Sequence, residues 1–332
     1  MQQKVIGSSN LMLKTLAQVS DLAPIERPVL VLGERGTGKE LVSQRLHFLS
    51  GRWQGPLLQV NCAALNENLL DSELFGHEAG AFTGASRQHK GKFEQAHGGT
   101  LVMDELGTMS LRLQEKLLRV LEYGQFERVG GQQSVQVDVR VVGSTNANLV
   151  ELVAAGEFRA DLLDRLSFDV VHVPPLRLRD EDVLELAQHF AVRMSHELGW
   201  QLFAGFTDAM RRRLLTYAWP GNVRELRNVV ERSLARWTQP EEPLGELWFD
   251  VLASPFVDAG PCEASEMPVL PVMPDAELTF KDQVASFEKQ LLVQALNQHQ
   301  HHQSRTAQAL GLSYHQLRGM LKKHALVGDA ND

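Results

Sequence analysis

The sequence is poor in cysteine and has no long apolar segment. Cys62 and Cys262 are the only two cysteines among 332 residues, and they lack the close spacing of metal ligands. A disulfide framework or a zinc site is therefore not expected, and a reducing compartment fits. A transmembrane helix needs about 18 or more consecutive apolar residues, and a signal peptide needs an apolar core near the N-terminus. The chain has neither, so we expect a cytoplasmic protein.

An excess of positive charge is also missing. The chain has 33 Lys and Arg residues against 41 Asp and Glu residues, which gives a formal net charge of −8. This balance argues against a uniformly basic coat for nucleic acid, but it allows a local basic patch. The apolar fraction of 43% is ordinary for a globular protein, and the length is sufficient for two or three domains.

Proline is distributed unevenly and divides the chain. Seven of the thirteen prolines lie between residues 240 and 274. Proline at this density removes backbone donors and disfavours long helices and central strands. We therefore predict a linker at 239–277, between a large N-terminal body and a small C-terminal module at 278–327.

Short apolar runs alternate with helical patterns in the N-terminal body. The apolar runs, which are typical of buried parallel strands, lie at 28–33, 57–60, 100–104, 137–144 and 169–173. Strands that alternate with helices predict an α/β fold with a doubly wound parallel sheet, here at 1–172. The purely helical pattern that follows predicts a helical subdomain at 173–238.

A glycine-rich segment at 33–39 has the spacing of a phosphate-binding loop. It follows a predicted strand and opens a predicted helix, which is the context that the pattern G-x-x-x-x-G-K requires. Backbone N–H groups would surround phosphate oxygens, and Lys39 would reach the β- and γ-phosphates. Glu40 stands where Ser or Thr usually supplies a hydroxyl to Mg²⁺. A glycine turn without a ligand is the alternative. The predicted nucleotide-binding residues here are Gly33, Glu34, Arg35, Gly36, Thr37, Gly38, Lys39 and Glu40.

Two acidic residues end the third predicted strand. Asp104 and Glu105 follow the apolar residues 101–103, and the carboxyl ends of parallel strands gather where ligands bind. Asp104 would orient Mg²⁺, directly or through water. Glu105 would polarise the attacking water. A strand that runs into a solvated acidic turn is the alternative.

Three segments resemble one family. Residues 80–85 read Gly-Ala-Phe-Thr-Gly-Ala, residues 73–78 match the flanking pattern, and residues 38–40 match the end of the family's phosphate loop, including Glu40. Together they resemble the σ54-dependent activators of the AAA+ superfamily. The resemblance implies a P-loop AAA+ sheet with a helical lid, ATP and Mg²⁺ as ligands, and a loop that contacts σ54. The implied contact residues are Gly80, Ala81, Phe82, Thr83, Gly84 and Ala85.

Phe82 is the chemically informative residue of that loop. An exposed Phe between glycines would be a hydrophobic probe, and its burial on a partner would contribute roughly 1.5–3 kcal/mol. In the family this loop remodels the closed complex of the σ54-RNA polymerase holoenzyme. A surface turn whose Phe packs into the core is the alternative.

The resemblance also implies roles for single residues in the body. Asn61, after the second strand, would hold the catalytic glutamate away from water, or it would cap a turn. Asn146, beside Thr145, would sense the γ-phosphate. Arg159 and Arg165 would reach into a neighbouring subunit's site, because the family forms ring hexamers; an ordinary salt-bridged helix is the alternative.

The sequence around residue 222 resembles the family's sensor II motif. Asn222 and Glu225 have the spacing of a capping box, which predicts a helix start at this point. Arg224 would then lie in the first turn and point at a nucleotide phosphate. A surface arginine without a ligand is the alternative.

The C-terminal module has the pattern of a Fis-type helix-turn-helix. A short amphipathic stretch at 304–310 is followed by a glycine turn, and Ser313 with Gln316 forms a capping box that starts a second helix. Between residues 280 and 326 there are six Lys and Arg residues and two acids, which reverses the sign of the whole chain and suits contact with enhancer DNA. A dimerisation module without DNA contact is the alternative. The candidate DNA-binding residues are Arg305, Tyr314, His315, Gln316, Arg318, Lys322 and Lys323.

The ATPase pattern begins almost at residue 1, without a receiver or sensor domain before it. Family members of this shape are controlled by a separate protein. Among them the chain resembles the activators of phage shock operons, which implies restraint by phage shock protein A. Trp53, an aromatic residue in a polar segment, is a candidate contact for such an inhibitor, or a partly buried packing residue. Two other functional classes stay open: a P-loop enzyme on a small molecule, such as a kinase, and a DNA-binding repressor with a degenerate nucleotide site.

Overall fold

The computed structural model describes residues 5–249, 285, 288–289, 291–293, 295–296 and 302–324. The chain divides into two compact units, Met1–Ala253 and Ser254–Asp332. Most of the predicted linker, together with Cys262, lies outside the described residues. Within the described ranges, no helix is long and apolar enough to cross a membrane.

A five-stranded parallel sheet forms the centre of the first unit. Its strands are β1 (Val29–Leu32), β2 (Leu57–Asn61), β3 (Thr100–Asp104), β6 (Arg140–Thr145) and β7 (Asp169–His172). They are arranged in the order β2-β3-β6-β1-β7. Two short strands, β4 (Gln125–Glu127) and β5 (Ser134–Gln136), pair separately and antiparallel. The five strands of the sheet correspond to the five predicted apolar runs, and the predicted α/β class is confirmed.

Helices flank the sheet and follow it along the chain. They are α1 (Asn10–Leu22), α2 (Lys39–Phe48), α3 (Glu67–Phe75), α4 (Lys92–Gln95), α5 (Leu111–Tyr123), α6 (Leu149–Ala154), α7 (Ala160–Leu166), α8 (Asp180–Glu197), α9 (Asp208–Thr216) and α10 (Asn222–Arg236). Short 3₁₀ turns lie at Leu106–Thr108 and Leu176–Leu178.

The alternation of side chains along each strand divides the core between the two faces of the sheet. Leu101 and Met103 of β3 join an apolar cluster with α3, α5 and α7. Val102, between them, joins a second cluster with α1 and α2. Both faces of the sheet are therefore covered by helices, as parallel sheets require.

A separate apolar cluster holds helices α8, α9 and α10 together as a lid. Trp219 is its largest fully buried side chain, and its indole N–H donates to the carbonyl of Leu214 at 2.8 Å. An indole buried with its N–H satisfied gains the full benefit of its apolar area. This fixes the connection between α9 and α10, on which the start of α10 depends.

The second unit contains a pair of short helices. They are α11 (Gln303–Ala309) and α12 (Tyr314–Lys323), and described residues between 285 and 296 are also helical. Ala307, Leu317 and Leu321 are buried against Leu292 and Leu296. The predicted capping box is confirmed, since Gln316 N donates to Ser313 Oγ and Ser313 N donates to Gln316 Oε1. The helix-turn-helix fold predicted for the module is confirmed.

Candidate functional site

The glycine-rich segment 33–39 forms the turn between β1 and α2. Gly36 and Gly38 have φ angles of 78° and 99°, which are strained for any residue with a Cβ, so glycine is needed there. Gly38 is also the N-cap of α2 and makes no side-chain cap bond. The first N–H groups of α2 therefore face the turn and can receive an anion.

Lys39 is the buried cationic group of this turn, whereas Arg35 is exposed. Its Nζ donates to the carbonyl oxygens of Gly33 at 2.9 Å and Glu34 at 3.1 Å. Burial lowers the pKa of Lys39, and the nearby charges of Glu105 and Asp104 partly offset this. A buried ammonium on neutral carbonyls is stabilised when an anionic ligand approaches, which is what a phosphate would supply.

A cavity of about 1080 Å³ lies against the phosphate loop. Lys39, Asp104, Glu105 and Arg224 lie in its wall. Residues 5–7, before α1, and both apolar and charged side chains of α8 complete the lining. Apolar walls on which polar groups converge are the usual character of a small-ligand pocket.

The two predicted carboxylates lie at the end of β3 and face this cavity. Ser144, on the adjacent strand β6, donates its hydroxyl to Asp104 Oδ1 at 2.7 Å. This bond fixes the orientation of the Asp104 carboxylate. Glu105 has a positive φ of 53°, and its carboxylate lies 3.9 Å from Arg35 Nε. Strand order explains the proximity, because β3 and β1 are both neighbours of β6.

Asn61 does not contact the side chain of Glu105, the predicted catalytic glutamate, through a hydrogen bond in the part of the chain that the structure describes. Its Oδ1 accepts a hydrogen bond from the backbone N–H of Ala63 at 2.9 Å, so it caps the turn after β2. Among the described residues no hydrogen bond joins Asn61 to Glu105, although Asn61 is in register with Asp104 on the neighbouring strand. The turn-capping alternative describes the observed geometry, because the backbone N–H two residues on lies within reach of a short amide side chain.

The residues predicted to sense the γ-phosphate lie at the end of β6, of which Thr145 is the last residue. Thr145 is buried, and its hydroxyl accepts from the N–H of Ala147 at 3.1 Å. Asn146 is exposed immediately beyond the strand. Both are therefore at the sheet edge that carries Asp104, although Asn146 is not among the residues that line the cavity.

The two arginines that are predicted to reach into a neighbouring subunit's site form ion pairs within the chain. Arg159 Nη2 lies 2.7 Å from Asp161 Oδ2, and Arg165 Nη2 lies 3.0 Å from Glu122 Oε1. Arg159 also donates through Nε to Asp161. The Arg159 pair is the local one of the salt-bridged alternative, whereas Arg165 pairs with a residue of α5 and not with an acid of its own helix. Both arginines are partly exposed, so the pairs are of the weak surface kind that a stronger acceptor can replace.

The prediction of a capping box at Asn222 was wrong. Gly221 is the N-cap of α10, and Asn222 is the first helical residue, with a φ of 54°. Glu225 does reach back to the start of the helix, where Gly221 N donates to its Oε2 at 2.7 Å. The Asn222 side chain is instead used in tertiary contacts with the phosphate loop, and such contacts outweigh a local cap. Arg224 lies in the first turn, as predicted, and lines the cavity.

Asp182 of α8 is a structural residue that the sequence patterns did not indicate. It is fully buried, and it accepts hydrogen bonds from the backbone of Ser8 and Ser9 at 2.6 and 2.7 Å and from Arg179 at 2.6 Å. Burial by itself would raise the pKa of Asp182, but the bonds from Arg179 and Ser9 outweigh it and lower that pKa. Asp182 therefore ties the cavity wall before α1 to the lid.

The two ends of the loop at residues 80–85 are hydrogen-bonded to each other, and Phe82 lies between them. Gly80 N donates to the carbonyl of Ala85 at 2.7 Å, and Phe82 remains 44% exposed. Its ring lies edge-on to His77, with centroids 4.9 Å apart. Phe82 is thus at the surface beside one aromatic neighbour and is not packed into the core.

Trp53, the candidate inhibitor contact, is exposed to 57%. It lies in the turn after α2, where its N–H donates to the carbonyl of Ser50. The preceding Arg52 is held by Glu26 and Asp138, each at 2.8 Å. The indole ring therefore lies at the surface on a turn that the ion pairs of Arg52 hold in place.

Most candidate DNA-binding residues of the second unit lie on exposed positions of α11 and α12. Tyr314, His315, Arg318 and Lys322 are exposed, while the intervening Leu317 is buried. The same holds for Arg305 of α11. The side chain of Gln316 is used in the capping box. Lys323 Nζ lies 2.7 Å from Glu288, so this lysine is partly committed to the unit's own structure.

Comparison with known families divides the chain into three matched segments. A model described as "Sigma-54 interaction domain" matches residues 5–172. One described as "AAA+ ATPase lid domain" matches residues 177–244, and one described as "Bacterial regulatory protein, Fis family" matches residues 283–324. The matched segments follow the order of the sheet, the lid and the helix-turn-helix.

Individual proteins are similar over nearly the whole chain. The Psp operon transcriptional activator of Escherichia coli K12 is 54% identical over 328 residues, which are 98% of this chain and 99% of the relative. Regulatory protein AtoC of the same organism is 40% identical over 97% of this chain and 68% of its own length. The crystal structure of NtrX from Brucella abortus in complex with ATP matches with a TM-score of 0.68 and 34% identity, over 97% of this chain and 70% of that one.

Proposed function

The chain belongs to the σ54-dependent transcriptional activators, and from this membership we propose that it couples ATP hydrolysis to remodelling of the σ54-RNA polymerase closed complex. As a member it is an enhancer-binding activator with an AAA+ nucleotide domain and a Fis-type DNA-binding domain. The observation that carries the hydrolysis proposal is a single cavity lined by Lys39, Asp104, Glu105 and Arg224.

The proposed division of labour follows from the charges in that cavity. Lys39 and Arg224 bind phosphate oxygens, and the N–H groups of residues 33–39 surround the β-phosphate. Glu105 accepts a hydrogen bond from the attacking water and takes its proton. Asp104, with one oxygen fixed by Ser144, would hold the cation. Asn146 stays the candidate for sensing the γ-phosphate, Asn61 the candidate for holding Glu105 away from water, and the remaining loop residues candidates for binding the nucleotide.

The donor set fits Mg²⁺. Carboxylate oxygens are the ligands that this hard cation prefers, with water in its other positions. Asp104 would hold it, and Glu40, which also lines the cavity, would hold it through water in place of the usual hydroxyl. Bound Mg²⁺ would neutralise charge on the phosphates.

Catalysis is proposed to need a ring, with hexamers as the assembled form. Arg159 and Arg165 lie on the first unit's surface, and each would leave its present carboxylate partner for the phosphates bound by a neighbouring copy. A finger supplied in this way accelerates hydrolysis by about 10³–10⁵ in other nucleotide hydrolases. Phe82, in each copy, would contact σ54.

The regulated genes and the regulator are proposed from the relatives. The 54% identity to the Psp operon transcriptional activator over its whole length supports a phage shock operon as the target. An inhibitor resembling phage shock protein A would then restrain the ATPase, with the exposed Trp53 as a contact.

Phosphate release measured against protein concentration tests the proposal. We expect specific activity to rise steeply with assembly, to need no added acceptor substrate, and to be abolished by Glu105→Gln. Turnover that needs a small-molecule acceptor would support a kinase-like enzyme. Absence of turnover at every concentration, with DNA binding intact, would leave a repressor with a degenerate nucleotide site.

A further inference from the structure

The carboxylate of Glu34 is held by the lid although Glu34 belongs to the phosphate loop. Arg177 Nη1 donates to Glu34 Oε2 at 2.8 Å, and Nη2 donates to Oε1 at 2.6 Å. Asn222 Nδ2 adds a third bond to Oε2 at 3.0 Å. These bonds, first of all those from Arg177, lower the pKa of Glu34 to about 2, so the carboxylate is charged at any working pH. An exposed ion pair adds little to the stability of the fold. The consequence of these bonds is therefore the link that they form between the phosphate loop and the lid.

Asn222 joins three segments through one buried side chain. Its Nδ2 also donates to the carbonyl of Arg35 at 3.1 Å, while its Oδ1 accepts from the N–H of Leu176 at 2.8 Å. Asn222 is fully buried and has the positive φ that asparagine tolerates better than most residues. The amide therefore fixes the start of α10 to the phosphate loop and to the first residue of the lid's 3₁₀ turn.

The backbone completes this junction. Arg224 N donates to the carbonyl of Gly36 at 3.3 Å, and a Cβ on Gly36 would clash with the carbonyl oxygen of Gly221. The loop and the start of α10 are thus in direct contact, without room for a methyl group. A shift of the loop must displace the start of α10, and with it Arg224.

The main chain of the same Glu34 contacts the phosphate-binding cation. Its carbonyl accepts from Lys39 Nζ at 3.1 Å and from Thr37 Oγ1 at 2.9 Å. A phosphate in the loop would compete for the Lys39 ammonium and remove that donor from Glu34. The occupied and empty states therefore differ at a residue whose side chain is bound to the lid.

We propose that Glu34 is a positioning residue that transmits phosphate occupancy of the loop to the lid through Arg177 and Asn222. It thereby places Arg224 for hydrolysis without touching the nucleotide through its side chain. The proposal rests on the ATP binding and turnover put forward above. It predicts that loss of the junction slows turnover far more than it weakens nucleotide binding.

Glu34→Gln, Arg177→Gln and the double variant test this through two measurements. The first is the nucleotide-induced protection from hydrogen exchange of lid peptides that contain residues 176–186 and 220–226, measured with a non-hydrolysable ATP analogue. The second is kcat and KM for ATP. We expect each single variant to lose most of the induced protection and roughly tenfold in kcat, with KM changed less than about threefold. The double variant should match the single ones, because both remove the same link.

Arg119→Gln is the matched control, because Arg119 forms a comparable exposed pair with Glu115 on α5 at 3.0 Å. It should leave both measurements unchanged. Two results would overturn the proposal: normal lid protection and kcat in Glu34→Gln, or a double variant in which the effects of the two single variants add. In either case turnover by the wild-type chain would still support the proposed function. A wild-type chain that binds the analogue without turnover would overturn the proposed ATPase and, with it, the role of Glu34 in hydrolysis; the loss of lid protection in Glu34→Gln would then test only the link from loop to lid. A wild-type chain that binds no nucleotide would sink both.

Discussion

Ser144 and Asp104 are joined across two neighbouring strands by a hydrogen bond of 2.7 Å from hydroxyl to carboxylate. Ser144 is almost fully buried on β6, so the bond is shielded and fixes one oxygen of Asp104. The other oxygen is left for the cavity. The neighbour of a carboxylate in the sheet, and not in the sequence, thus determines how that carboxylate is presented.

Replacing Ser144 should therefore affect turnover. We expect Ser144→Ala to lower kcat for ATP roughly tenfold, because a bond to a charged acceptor contributes about 1.5–3 kcal/mol and the freed carboxylate can rotate. Ser233→Ala is the control, since Ser233 is equally buried but its hydroxyl bonds only backbone groups, the carbonyl of Val229 and the N–H of Trp248. Steady-state phosphate release measures both. Equal effects of the two changes would contradict a specific role for Ser144.

Replacing each of the two positive-φ glycines of the phosphate loop by alanine should lower the stability of the protein to a different extent. Gly36→Ala places a methyl group against the carbonyl of Gly221, whereas a Cβ on Gly38 meets nothing within 4 Å. Both changes carry the strain of a positive φ, on the order of 1 kcal/mol. We expect Gly36→Ala to lower the melting temperature, measured without nucleotide, clearly more than Gly38→Ala. Similar melting temperatures would show that the contact of the loop with α10 is looser than the structure indicates.

The lowered pKa of Asp182 predicts that the free energy of unfolding depends on pH. Because its folded pKa lies below its ordinary value of 3.8, it stabilises the fold fully above that pH and loses this contribution as pH falls through the lowered value. Asp182→Asn leaves Arg179 buried without a charged partner, which costs about 3–5 kcal/mol. The gap in free energy of unfolding between the two proteins should stay constant from about pH 5 to pH 8 and narrow below about pH 4. A difference in free energy of unfolding that grows as the pH falls would contradict this prediction.

Arg318 should contribute to DNA affinity through charge. It is exposed on α12, and if its guanidinium binds a DNA phosphate, Arg318→Ala should reduce the magnitude of the salt slope of log K by about 1. Arg211→Ala, at an exposed position on α9, removes the same charge from the first unit and should leave the slope unchanged. Binding to a fixed duplex across a salt series gives both slopes. An unchanged slope for Arg318→Ala would remove it from the interface.

The parts of the fold that depend on local pattern could be predicted from the sequence. The apolar runs correspond to the strands of the sheet because buried parallel strands need continuous apolar residues. The cap at Ser313 could be predicted because both partners lie within three residues of each other. Asn222 shows the opposite case. Its spacing from Glu225 fits a local cap, yet contacts with Glu34 and Leu176 determine its conformation.

The parts of the site that depend on distant residues could not be predicted. Glu34 lies 143 residues from Arg177, and Ser8 lies 174 residues from Asp182; no spacing rule covers such pairs. The carboxylates at residues 104 and 105 were predictable only because the end of a parallel strand is a known position for them. The bond from Ser144 to Asp104 required strand order, which sequence periodicity does not contain.

Open-complex formation by the Phe82→Ala variant, measured beside its ATP turnover, tests the central claim most directly. The assay uses purified σ54-RNA polymerase holoenzyme on a promoter with an upstream binding site. Because Phe82 is exposed and lies outside the nucleotide cavity, we predict that the variant hydrolyses ATP at close to the wild-type rate and forms no open complexes. Wild-type levels of open complexes from Phe82→Ala would contradict the account, because the loop would then not be the element that acts on σ54.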